Sequence, residues 1–371
     1  MKNNYIITLL SLTLFISCDP IVNEFPDSEE AIFYTSDNIN SVPAMDTITV
    51  MTWNIRFGAA RSHWFGDACG DRVILPESEV NANLSAVADY LDSVDPDILF
   101  LQEIDVESKR TGYVDQVQWL LDNTNFNYGA YASAWQSQFI PSDGLGRMNM
   151  GNAVFSKWEI TDATRHQISL RGDQDDLTQL FYLRRNVLET KIDMDGTTFY
   201  AVNTHSTAFA MDDTKQKHIQ EFKDVLDRIE GEGVSFVAGG DLNSLPPGAV
   251  KLDYCLEDMC DGESFHQDGD DPTDKETHKE GSWFANADSS VLQGLYDDDA
   301  YFPAVPLVDY LANESNYFTH TPEYDNLEGF NRKLDYLWSN NSWVNGSDIT
   351  HWKKAATSDH LPVSARWEVG R

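Results

Sequence analysis

With 371 residues, 41% of them hydrophobic and 12% aromatic, the chain has the length for one large globular domain and is too apolar to be disordered throughout. Its 61 Asp and Glu against 26 Lys and Arg give a formal net charge of −35, a field that repels polyanions and anionic membranes at long range. That balance excludes indiscriminate nucleic-acid binding and leaves open a local site that attracts a phosphate.

Lys2 precedes Tyr5 to Ile16, a mostly apolar run too short to span a bilayer. Phe15-Ile16-Ser17-Cys18 resembles a bacterial lipobox. On that reading residues 1–18 are a lipoprotein signal peptide, and Cys18 becomes the lipid-modified N-terminus. Several acyl chains on one residue give stable anchoring, here to the bacterial cell envelope, periplasmic or at the cell surface. An ordinary secretory signal is the alternative. Residues 19–46 are acidic, with few periodic apolar positions, and read as a flexible tether.

From Thr47 the pattern changes to alternating strand and helix signals. Thr47–Ile55 reads as a strand that closes on Asn54. The stripe Val80, Leu84, Val87, Ala88 and Leu91 has helical spacing. Ile98–Gln102 is a strand leading to Glu103, and Val114, Val117, Leu120 and Leu121 mark a shorter helix. Asn152–Phe155, Val187–Ile192 and Thr198–Asn203 are strands, the last leading to His205. Ile219, Phe222, Val225, Leu226 and Ile229 form the clearest helical stripe, with acidic residues near its start at Asp212-Asp213. Val234–Ala238 is a strand followed by Gly239-Gly240-Asp241-Leu242-Asn243. Lys333–Trp338 carries Asp335 inside an apolar strand, and Ser358-Asp359-His360 precedes the strand Pro362–Trp367.

No linker or internal repeat divides residues 47–369, which read as one domain. Residues 252–301 are acidic and broken by Gly and Pro, and read as an insertion. Within it Cys255 and Cys260 are close enough for a small-loop disulfide, and the run Asp268 to Asp274 is a solvated acidic loop or a weak calcium site. Strands mixed with helices, with no regular βαβ beat, indicate two packed sheets with helices outside.

Singly, each polar strand end has an ordinary explanation as a turn, a cap or a solvated end. Together they gather carboxylates, amides and imidazoles that can hold a divalent cation and activate water on a phosphate. In their order, Trp53-Asn54, Leu101-Gln102-Glu103, Thr204-His205, Gly240-Asp241-Leu242-Asn243, Asp335 and Ser358-Asp359-His360, the sequence resembles the endonuclease/exonuclease/phosphatase superfamily. The superfamily includes deoxyribonucleases, apurinic-site endonucleases, inositol polyphosphate phosphatases, sphingomyelinases and deadenylases.

The resemblance implies an α/β fold: a four-layer α/β/β/α sandwich of two packed mixed sheets flanked by helices. It also implies a phosphoester hydrolase requiring Mg²⁺ or Mn²⁺. Glu103 would be the central metal ligand, with Asn54 and Asp359 near the same ion. Asp241 would orient or deprotonate the attacking water, and Asn243 would donate a hydrogen bond to the developing charge. His205 and His360 would contact phosphate oxygens or move protons, with Asp335 holding His360 in its tautomer. Gly151-Asn152-Ala153-Val154-Phe155-Ser156 and Arg184-Arg185 resemble further strands of the family, the second placing Arg185 near the phosphate.

Three functions compete: a phosphodiesterase or phosphatase on a small or lipid-linked phosphoester, a nuclease, and a non-catalytic binding lipoprotein. Nucleases grip the phosphate backbone with several Lys and Arg. From Lys251 to Ala300 this chain has fifteen Asp or Glu and three Lys, which disfavours nucleic acid as partner. No protein partner is evident.

Overall fold

The apolar runs Ile98–Leu101 and Phe236–Ala238 are buried throughout because both faces of each sheet are covered. The computed structural model describes residues 23–66, 69–265, 277–284 and 291–370. The signal segment with Cys18 and the acidic run from Asp268 to Asp274 lie outside the described residues.

In chain order the first strands are β1 (Ser28–Glu30), β2 (Ile32–Thr35), β3 (Thr47–Asn54), β4 (Ile98–Asp105), β5 (Tyr128–Ile140), β6 (Gly146–Ser156) and β7 (Glu159–Gln167). They are followed by β8 (Asn186–Met194), β9 (Thr197–His205), β10 (Phe236–Asp241), β11 (Phe302–Pro303), β12 (Asp335–Ser339), β13 (Ile349–Thr350) and β14 (Val363–Glu368). The α-helices are α1 (Glu77–Val94), α2 (Gln116–Asp122), α3 (Asp176–Phe181), α4 (Thr214–Gly231), α5 (Gln293–Tyr296) and α6 (Leu307–Ala312). One seven-stranded sheet has the order β1-β7-β8-β9-β10-β12-β11, and the other β13-β14-β3-β4-β6-β5-β2. Both are mixed: β9 runs parallel to β10 and β3 parallel to β4, and the other pairings are antiparallel.

Side chains alternate between two cores, as the twofold repeat of a strand requires. Val50, Ile98, Phe100, Ala201 and Val237 point between the sheets, against Val154, Leu188, Phe199 and Trp367. Their neighbours Met51, Leu99 and Leu101 point outward to Val80, Leu84, Val87 and Leu91 of α1. On the other side Val202, Phe236 and Ala238 meet Ile219, Phe222, Leu226 and Ile229 of α4. This is the expected four-layer sandwich. Among the described residues no helix is long and apolar enough to cross a membrane.

Two features differ from the sequence reading. The segment expected as a flexible tether contributes β1, paired with β7, and β2, paired with β5. It thus crosses from the edge of one sheet to the edge of the other, with Ala31 buried in the inter-sheet core. Backbone pairing holds it rather than side-chain burial, since Ile32 and Phe33 are exposed, so no apolar pattern marked it. Second, Cys255 and Cys260 do not pair. Cys260 is joined to Cys69, 191 residues away, and Cys255 is a buried free thiol. The partner came from a loop that folding brings close, which spacing along the chain cannot show. The acidic insertion has its own anchors: Tyr254 and Phe284 pack with Leu245, Val305, Tyr310 and Leu334.

Candidate active site

Strand register sets the first row of the site. Asp241 ends β10 directly opposite His205 of β9 on one side and Asp335 of β12 on the other. Gly240 makes this row possible: its φ is +133°, and a Cβ there would lie 1.9 Å from the Thr204 carbonyl oxygen. In the facing sheet Asn54 ends β3 beside Gln102 of β4. A register shift between Leu101 and Ile104 leaves Glu103 in a bulge with φ +53°, which turns its carboxylate toward the other sheet. Asn243 also has positive φ, +47°. Backbone strain of this kind gathers where a site fixes side-chain direction. Buried amides join the two sheets beneath. Asn203 donates to the carbonyls of Leu101 and Ala153 at 2.8 and 2.9 Å and accepts from Gln102 at 2.7 Å.

Asp241 is the hub. Its Oδ2 accepts from Asn54 Nδ2 at 3.1 Å and His205 Nε2 at 3.2 Å, with His360 Nε2 3.6 Å away. Its Oδ1 accepts the Asn243 backbone N–H at 3.0 Å. Behind His360, the Nδ1–H donates to Asp335 Oδ2 at 2.9 Å, while Asp335 Oδ1 is buried without a partner. Asp359 lies between the Arg56 guanidinium at 3.3 Å and the Tyr324 hydroxyl, which donates at 3.1 Å. Asn243 donates its amide to the Ser206 carbonyl at 3.1 Å, which leaves its second amide hydrogen for any phosphate contact.

Charge is polarised accordingly. Burial raises the Asp241 carboxyl, but His360 and His205 outweigh it and hold the group well below the usual carboxylate range. Burial lowers His360, but Asp335, Asp241 and Asp359 together push it up to about 10. Burial, aided by the Arg185 guanidinium, pushes His205 down to about 4. The two imidazoles beside Asp241 are thus pushed in opposite directions. Glu103 is raised by burial and by the charge of Asp359.

A divalent cation fits this donor set. Glu103 and Asp359 are two hard-oxygen groups whose mutual repulsion a cation would relieve. Asn54 is placed differently from an oxygen ligand. Its Oδ1 accepts the Arg56 N–H at 3.0 Å and its NH₂ faces Glu103 and Asp241, so ligation requires the amide to turn over. Among the described residues two knots of ligand atoms lie within 4.8 Å of one another: His320, Asp359 and His360, and Asp241, Asp335 and His360.

Glu103, Arg185, His205, Asp241, Asn243, Asp359 and His360 line one cleft of about 520 Å³. Asn54 and Asp335 lie beneath that lining. Arg185 is buried and donates to the His205 carbonyl at 3.3 Å, whereas Arg184 turns away to Asn23. The insertion aromatics do not reach the cleft: Phe284 and Tyr301 are core residues and Trp283 stacks on His278. Sequence reasoning missed Arg56, Tyr324 and His320. His320 lines the cleft, packs 4.5 Å from the His360 ring and has a buried Nδ1 without a partner. The one available signal was its dipeptide, Thr319-His320, which repeats Thr204-His205. Thr319 also matters: its hydroxyl accepts the N–H groups of Leu334 and Asp335.

A profile described as the Endonuclease/Exonuclease/phosphatase family matches residues 51–360. Comparison with curated proteins finds no match. Among solved structures, the endonuclease/exonuclease/phosphatase from Beutenbergia cavernae DSM 12333 superposes with a TM-score of 0.56 at 16% identity, covering 88% of this chain and 72% of that one. The human Nocturnin catalytic domain with bound sulfate gives a TM-score of 0.52 at 15% identity, covering 91% of this chain and 97% of that one. At these identities the likeness is one of fold.

Proposed function

The chain belongs to the endonuclease/exonuclease/phosphatase family, and from that premise we propose that it is a divalent-metal-dependent hydrolase of small or lipid-linked phosphoesters, exported and lipid-anchored through Cys18 in the cell envelope. The observation that carries the reading is the cluster at the strand ends: Asp241 Oδ2 accepts from Asn54 and His205 at 3.1 and 3.2 Å, His360 Nε2 lies 3.6 Å away, and Glu103 and Asp359 line the same cleft. Glu103 and Asp359 would hold a Mg²⁺ or Mn²⁺, which would supply Lewis-acid stabilisation of phosphoryl charge. The protein's own groups do the rest. Asp241 orients a water for in-line attack and accepts its proton. His360, charged and backed by Asp335, donates from Nε2 to a phosphoryl oxygen. Arg185 adds fixed positive charge beside His205. The water oxygen bonds to phosphorus as the bond to the alcohol oxygen breaks. The alcohol oxygen takes a proton as it leaves, returned from Asp241 through solvent, and the phosphate product keeps the water oxygen. Export rests on the apolar leader and on Cys18 at its end.

The test uses purified protein and bis-p-nitrophenyl phosphate with Mg²⁺ or Mn²⁺, with and without chelator. Metal-dependent turnover is expected, lost by about 10²-fold or more in Asp241→Asn and His360→Ala. Absence of metal-dependent turnover here and on a panel of phosphoesters sinks the reading and leaves a binding protein. Cys18→Ser should move the protein from the membrane to the soluble fraction; unchanged membrane association refutes the anchor.

A further inference from the structure

The cleft has a charged floor and an apolar wall. Phe65, Trp135, Leu183, Phe209 and Met259 line it and keep part of their surface open. Among the described lining residues there are eight carboxylates and four Arg or Lys. Three of those four cations are already neutralised. Arg110 grips Asp105 through two bonds of 2.9 Å, Arg332 grips Asp258 at 2.8 and 2.7 Å, and Lys279 meets Glu263 at 2.7 Å. Arg185 differs. Its Nη1 donates to a backbone carbonyl and its Nε is buried without a partner. A buried guanidinium in that state calls for an anion, since a charged donor left unsatisfied is costly.

Resting on the hydrolase reading above, we propose that the cleft selects an ester with one phosphoryl group on an apolar body that carries no further negative charge. Arg185 offers one guanidinium, and so one place for a phosphoryl group. A second phosphate would leave the floor and meet Glu323, whose carboxylate accepts from the Asn326 amide, while Glu257 is paired with Lys251 and Glu280 with Arg171. The apolar wall takes the alcohol portion, as small-molecule sites commonly do. A soluble ester and a lipid share this chemistry. Nucleic acids and inositol polyphosphates lack it.

Two arms test this. The first needs no turnover. Phosphate, pyrophosphate and tripolyphosphate are titrated calorimetrically at fixed ionic strength without added metal. Phosphate should bind, Arg185→Ala should abolish the binding, and affinity should change less than threefold along the series. Failure of phosphate to bind, unchanged binding in Arg185→Ala, or a gain of tenfold or more per added phosphate overturns the proposal. The second arm compares kcat/KM, with Mn²⁺, for hexyl 4-nitrophenyl phosphate, phosphatidylcholine vesicles, octathymidylate and inositol 1,4,5-trisphosphate. At least one of the first two should exceed both of the others by tenfold or more, and which one leads separates a soluble from a lipid source. Octathymidylate or the trisphosphate leading overturns the proposal. Phe209→Ser should raise the KM for hexyl 4-nitrophenyl phosphate at least fivefold, and an unchanged KM removes the wall from recognition. Should nothing turn over, the hydrolase reading fails, and the binding arm still decides the single-phosphate claim.

Discussion

Replacing Asp335 by Asn tests whether His360 acts with a partner. The carboxylate is fully buried, accepts from His360 Nδ1 at 2.9 Å and stands at the back of the ring, out of the cleft lining. The amide keeps the size and an acceptor oxygen but removes the negative charge behind the ring. A hydrogen bond to a charged group contributes about 1.5–3 kcal/mol. If that is lost wholly in the transition state, kcat/KM falls by roughly 10- to 150-fold, at about 1.4 kcal/mol per tenfold. The measurement is kcat and KM on bis-p-nitrophenyl phosphate with Mn²⁺ for the wild type, Asp335→Asn, His360→Ala and the double variant, each with a melting curve. The loss should appear in kcat. Because Asp335 acts only through His360, the double variant should be no slower than His360→Ala alone. Asp335→Asn within threefold of the wild type, or a double variant slowed by the product of the single effects, refutes the reasoning.

His218 and His351 are outside the cleft lining, and burial pushes each from 6.5 down to about 4. The unfolded chain takes those protons near pH 6.5 while the folded one refuses them, so stability is full above that pH and is lost as pH falls toward 4. The melting temperature of His218→Gln should therefore fall less steeply than the wild type between pH 6.5 and 5, and equal slopes count against this account. Peptide mapping without reductant should recover Cys69 linked to Cys260, and Cys69→Ser should cost about 2–5 kcal/mol in a denaturant titration; a Cys255 crosslink contradicts the assignment. Phe100→Ala, at a fully buried position between the sheets, should cost about 3–5 kcal/mol by the same titration, and a loss under 1 kcal/mol would place Phe100 outside the core.

The strands that carry the site were legible because each joins an apolar run to a polar end. β3, β4, β9 and β10 each run through successive buried positions to the residue at the cleft end, Asn54, Glu103, His205 or Asp241. β5 and β7 were not legible. β5 is rich in Ala, Ser, Gln and Tyr, and β7 alternates charged positions with few apolar ones, so neither gives a strong periodic signal. β1 and β2 are edge strands defined by backbone pairing, on which side-chain patterning is silent. Tyr324 and His320 stand outside helices and strands and Arg56 opens a three-residue 3₁₀ turn, where composition has no period. Their approach to Asp359 and His360 is a product of tertiary packing alone. The same holds for the Cys69–Cys260 link.

The segment from Ser28 to Thr35 closes both sheets at one side, and its partners lie far down the chain: Ser28 meets His166 and Ile32 meets Tyr131. A polypeptide emerging from a ribosome or a translocation pore N-terminus first presents these residues well before the strands that receive them. They must stay unpaired while most of the first half of the domain appears, and closing so long a loop adds an entropic cost that delays them further. The earliest residues to emerge are therefore among the last to lock. Until they do, two sheet edges stand open to strands of other chains.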